Sequence, residues 1–181
     1  MTTLAEFARD PRKHIELVNG EIIVSPNAGR PRFSIARRLA NALETHGLIV
    51  GIEANLILDD RDPFRPLVRE PDMYVLREEN DPEDDGLFQR ADNTLLVAEV
   101  QSPGSGITDW VEKMSEYADA GIPHYWIVEM YIDRSLHLYT FNLKPGGYGD
   151  REHWAKEVDI MVAGVRVHFD VRDLLKAPAG R

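Results

Sequence analysis

The chain is read as an α/β protein with a mixed central β-sheet flanked by helices and preceded by an N-terminal β-hairpin. Three observations predict this class. Asn19-Gly20 separates two short runs with strand character, the strongest short hairpin signal, because both residues tolerate positive φ. Residues 94–101 are apolar on both strand faces, the mark of a strand covered on two sides. Finally, the order helix, three strands, helix, strand intermixes the two element types along the chain.

Each element follows in turn. Residues 3–9 suit one or two helical turns, stopped by Asp10-Pro11. His14–Val18 and Glu21–Ser25 are the hairpin strands, and Pro26–Pro31 is a loop. A helix is expected from Pro31 to His46, with Ile35, Leu39, Ala42, Leu43 and His46 on one face and Gly47 as its stop. Leu48–Leu58 is read as one strand, and Glu70–Leu76 as another opened by Pro71. The acidic run Glu78–Asp85 is a solvated loop. After the strand at 94–101, Ser102–Gly106 is a break. Thr108 then caps a helix that runs to Gly121, with Trp110, Val111, Met114, Tyr117 and Ala118 as its apolar stripe. Pro123–Glu129, Leu136–Phe141 and residues 165–171 complete the strands, with a closing turn at Val171–Lys176. One domain over 1–181 is expected: a core of about 30–142, a hairpin of about 14–25, and a C-terminal strand and turn of about 164–176.

Composition bounds the chemistry. With 181 residues, 43% of them hydrophobic, the chain suffices for one buried domain and not for two. Twenty-one basic against thirty-one acidic residues give a formal charge of −10, which disfavours unselective attraction to polyanions. Nucleic-acid binding would then rest on a local patch. The acid-free stretch from Ile22 to Leu43, with Arg30, Arg32, Arg37 and Arg38, is the candidate. Cysteine is absent, which excludes disulfides, zinc ribbons, iron–sulfur clusters and thiol nucleophiles. No signal-like apolar core and no membrane-length apolar run is present, so a soluble cytoplasmic protein without a membrane partner is expected. The six histidines show no metal-ligand spacing.

The chemistry-bearing residues are few. Asp72 follows a proline at a strand start. Glu99 lies within an apolar strand and shares a face with Gln101. A buried glutamate is costly unless paired or metal-bound, and two carboxylates on adjacent strands suit Mg²⁺ or Mn²⁺. Lys113, at the border of the following helix's stripe, is within reach of that pair. Structural alternatives stand beside each: Asp72 as a turn residue, Glu99 as the buried partner of Arg77 or Arg90, and Lys113 as a snorkelling surface lysine.

Pro71-Asp72, Glu99-Val100-Gln101-Ser102-Pro103, Asp109 to Lys113 and the block Tyr117 to Val128 together resemble the Uma2 family of endonucleases, which has the PD-(D/E)xK restriction-endonuclease-like fold. Ile15–Ile22 is similar to that family's opening hairpin, and the likeness runs from about His14 to Phe141. The resemblance implies that Asp72 and Glu99 bind Mg²⁺ or Mn²⁺. It implies that Gln101 stands where the motif's lysine would be, with Lys113 as the displaced substitute, and that Glu16 and Glu21 support the acidic site. Arg32 falls where the family often has histidine. Arginine can hold a phosphate but cannot act as a general base near neutral pH. The implied activity is metal-dependent hydrolysis of DNA by a homodimer. Two other readings remain open: a catalytically silent nuclease fold that binds nucleic acid or a protein partner, and a hydrolase of smaller phosphoesters.

Overall fold

The computed structural model describes residues 1–24, 30–79, 88–101 and 108–176. The expected loop at Pro26, the acidic run beyond Glu79 and the break at Ser102–Gly106 lie outside them. A short helix α1 (Leu4–Phe7) opens the chain, closed by a capping box between Thr3 and Glu6. β1 (Ile15–Val18) and β2 (Glu21–Val24) form the expected hairpin. Asn19 and Gly20 take φ of 52° and 80°, the positive values that a tight two-residue turn needs. Helix α2 (Arg30–Glu44) buries Ile35, Leu39 and Leu43, as their spacing predicts.

The strand expected over Leu48–Leu58 is two strands, β3 (Ile49–Ile52) and β4 (Asn55–Asp59). Glu53 between them has φ of 50°, and the bend sends the halves into different sheets. β5 (Leu67–Arg69), β6 (Met73–Leu76), β7 (Phe88–Arg90) and β8 (Thr94–Gln101) follow. The helix after β8 starts with a π-wound stretch, Thr108–Lys113, and continues as α3 (Met114–Asp119). The remaining strands are β9 (His124–Met130), β10 (Leu136–Lys144), β11 (Gly147–Tyr148), β12 (Glu152–Trp154), β13 (Glu157–Val162) and β14 (Val165–Asp170), before a 3₁₀ turn at Val171–Leu175.

β8 and β9 pair in parallel across the helical crossover, inside a seven-stranded sheet ordered β11-β10-β9-β8-β6-β3 with β12 also on β10. A second sheet runs β2-β1-β5-β4-β7, and β13 pairs with β14 alone. Both faces of β8 are covered, and this is why it reads as continuously apolar. Leu96, Ala98 and Val100 pack in a core with α2 and the β13–β14 ribbon. Val97 faces the opposite core, with Tyr117, Tyr125, Ile127 and Leu56. Strand alternation therefore directs Glu99 and Gln101 to this second side, between the two larger sheets. Among the described residues, no helix is long and apolar enough to cross a membrane.

Candidate active site

Six elements deliver charged side chains to one buried locus. Glu99, fully buried near the end of β8, is its centre. Its Oε1 accepts hydrogen bonds from Lys113 Nζ at 2.9 Å and the Tyr117 hydroxyl at 2.8 Å. Asp72 precedes β6, which pairs antiparallel with β8 and brings Met73 opposite Ala98. The Val100 backbone N–H donates to Asp72 Oδ2 at 2.7 Å, fixing that carboxylate beside Glu99.

Arg32, in the first turn of α2, reaches both acids. Its Nε lies 2.9 and 2.8 Å from the two Asp72 oxygens, and an NH₂ group lies 3.4 Å from Glu99 Oε2. The sequence assigned Arg32 to a phosphate; here its guanidinium turns inward, because two carboxylates in a low-dielectric site outbid solvent for it. Glu99 therefore pairs with Arg32 and Lys113, not with Arg77 or Arg90. Arg90 bonds Asp60 instead.

Lys113 is 6% exposed and is no snorkelling surface lysine. Its Nζ lies 2.9 Å from Glu99, 3.2 Å from Glu16 and 3.5 Å from Asp109. The π winding explains why the expected stripe is displaced: an extra residue per turn rotates Val111 outward, to 63% exposure, and carries Lys113 in. The innermost line of this helix is Asp109, Lys113 and Tyr117, four residues apart. Gln101 Nε2 donates to Asp109 Oδ2 at 3.1 Å, and its Oε1 accepts from Trp110 Nε1 at 2.9 Å.

Behind Lys113 lies a group that the sequence reading missed. Arg69, buried in β5, donates to Glu16 at 2.8 Å and grips Glu116 with two bonds of 2.7 and 2.8 Å. An arginine ending the three-residue strand Leu67–Arg69 gives no periodic signal, and only its burial reveals the role. Glu16 thus belongs to the cluster. Glu21 does not: it sits exposed at the turn end of the hairpin, opposite Val18.

Five carboxyl groups (Glu16, Asp72, Glu99, Asp109, Glu116) meet three cations (Arg32, Arg69, Lys113), an excess of two negative charges when all five are ionised. Burial, helped by Asp109 and Asp72, pushes Glu99 up to about 8, against the pull of Lys113 and Arg32. Burial also raises Asp72, opposed by Arg32 and the Val100 N–H. For Lys113, burial acts downward, yet Glu99, Glu16 and Asp109 outweigh it and hold the ammonium above its ordinary range.

The donor set can be tested against the divalent cation that the fold implies. Asp72 and the Oε2 of Glu99 offer hard oxygens to one shared positive group, the Arg32 guanidinium, which marks where a cation is favoured, while Glu99 Oε1 is taken by Lys113 and Tyr117. In donor type and direction the pair fits. Among the described residues no three histidine, aspartate or glutamate side chains gather as metal ligands, so the fit rests on this pair.

The two larger sheets of this mixed α/β fold thus enclose a buried carboxylate–lysine cluster. The crystal structure of a putative nuclease belonging to DUF820, from Anabaena variabilis, is similar, with a TM-score of 0.72 at 17% identity, covering 96% of this chain and 97% of that one. The Uma2 family model, described as "Putative restriction endonuclease", matches residues 2–166, and the chain belongs to that family. No curated protein sequence matches.

Proposed function

We propose that the protein is a divalent-metal-dependent endonuclease that hydrolyses DNA phosphodiester bonds at the Asp72–Glu99 pair. The observation that carries this reading is the convergence of both carboxylates on one positive charge. Asp72 and Glu99 would hold Mg²⁺ or Mn²⁺, which when bound supplies Lewis acidity and lowers the pKa of a coordinated water.

The other groups have roles set by their surroundings. Three carboxylates keep Lys113 protonated, so it cannot accept a proton from water. It orients Glu99 and offers positive charge to the phosphate oxygens as negative charge builds on them. Gln101, held at both ends by Asp109 and Trp110, fixes the wall of the site. Glu16, clamped by Arg69, holds Lys113 from behind. A homodimer, presenting one such site to each strand, belongs to the same reading. The Arg32 fork favours one competitor, a catalytically silent nuclease fold that binds nucleic acid or a protein.

Nicking of supercoiled plasmid in Mn²⁺ separates the two. Wild-type protein is expected to nick, Asp72→Asn and Glu99→Gln to lose the activity. Equal residual cleavage in wild type and both variants would mark a contaminant and overturn the assignment.

A further inference from the structure

We propose that Arg32 gates cation entry: it holds the Asp72–Glu99 pair until a phosphodiester draws its guanidinium away, so that metal and substrate bind cooperatively. This inference rests on the metal-nuclease reading above and adds a regulation of that same site.

Arg32 differs from the other two cations of the cluster by being the only one with appreciable access to solvent. Its side chain is 24% exposed, whereas those of Lys113 and Arg69 are 7% and 3% exposed. The carboxylates beneath it are 8% exposed at Asp72 and fully buried at Glu99. Of the cations that touch the pair, Arg32 is thus the one that solvent and an arriving anion can reach.

Its grip is uneven. Nε engages both Asp72 oxygens at 2.9 and 2.8 Å, but the contact with Glu99 is a long 3.4 Å. Departure of Arg32 would leave Glu99 held by Lys113 and Tyr117, and Asp72 held by the Val100 N–H. The pair thus keeps its position when the gate opens.

A phosphodiester is suited to open it. A guanidinium forks a phosphate as well as a carboxylate, whereas a bare cation offers Arg32 only repulsion. The first turn of α2 contains no acidic residue to compete for an arriving anion. A cation alone must expel Arg32 into solvent; a cation with a phosphodiester meets an arginine that gains a new partner. By linkage, each ligand then tightens the other by the same factor.

Calorimetric titration of Mn²⁺ tests this, with and without saturating dimethyl phosphate, a minimal phosphodiester. For wild type, dimethyl phosphate is expected to tighten Mn²⁺ by about fivefold or more. Arg32→Ala is expected to bind Mn²⁺ alone at least that much tighter than wild type, with no further gain from dimethyl phosphate. Arg61→Ala removes an exposed arginine outside the cluster and serves as control, with Mn²⁺ binding unchanged. Should Arg32→Ala fail to fold, Arg32→Gln replaces it. The gate is overturned if the Arg32 variant binds Mn²⁺ no tighter than wild type, or no tighter than Arg61→Ala. It is also overturned if dimethyl phosphate leaves wild type unchanged. Folded wild type and variant that both bind no Mn²⁺ in either condition would overturn the metal reading itself, a different outcome from failure of the gate.

Discussion

Arg32 meets Asp72 through a single nitrogen: Nε lies 2.9 and 2.8 Å from the two carboxylate oxygens, leaving an NH₂ group free to turn towards Glu99. One residue from a helix thus spans two acids from neighbouring strands. The same convergence that suits a metal ion is met here by an internal cation.

Lys113 is expected to matter to both stability and catalysis. Replacing it by methionine leaves Glu99, Glu16 and Asp109 facing one another without their shared ammonium. Breaking a buried ion pair in this way costs about 3 kcal/mol or more, so urea unfolding should show a lower midpoint. Plasmid nicking by the folded variant should fall by about 10²-fold or more, through lost charge stabilisation. Unchanged nicking would remove Lys113 from the chemistry.

Arg69 makes a separate prediction, since it touches neither Asp72 nor Glu99. Arg69→Met leaves Glu116 without its two-bond partner and Glu16 with Lys113 as its remaining cation, and should destabilise the fold by about 3 kcal/mol. Exchanging Glu116 for glutamine should cost less, because it is partly exposed and can rehydrate. Thermal unfolding of the two variants checks the order; equal midpoints would contradict the buried-clamp account.

How much of this was legible follows physical lines. β8 was readable to the residue, because covering both faces imposes a continuous apolar run, here interrupted by the single acid Glu99. The Asn19-Gly20 hairpin was readable because its turn needs positive φ at both positions. The break at Glu53 was not, since apolar residues continue on either side of it. β5 and β7, of three residues each, are too short to express a period, whereas β13 does alternate, through Val158, Ile160 and Val162. Asp72 and Glu99 stood out as acids in strand context, but the Arg32 fork and the Arg69 clamp join residues 40 and 47 or more positions apart, where local pattern is silent. The π winding that carries Lys113 inward likewise leaves no mark in a stripe drawn with α-helical period.

His124 gives a pH prediction away from the site. Its Nδ1 donates to Asn142 Oδ1 at 2.7 Å, and its Nε2 accepts from the Ala163 N–H at 3.1 Å, fastening the β13–β14 turn to β9. Burial lowers its pKa below the ordinary 6.5, against the Asn142 bond. The unfolded chain therefore takes up the proton first as pH falls. The stabilising effect of neutral His124 is complete above about pH 6.5, declines below it, and levels off once the folded form is protonated. Unfolding free energy measured across that range should fall towards acid in wild type, with a shallower slope in His124→Gln. Identical slopes would contradict this assignment.

The most direct measurement is a crystal soaked in Mn²⁺ together with dimethyl phosphate and recorded at a wavelength where manganese scatters anomalously. The account predicts one peak at about 2.2 Å from carboxylate oxygens of both Asp72 and Glu99, an ordinary oxygen–cation distance, with the Arg32 guanidinium swung clear. Absence of a peak at a saturating Mn²⁺ concentration, with Arg32 still forked on Asp72, would contradict it.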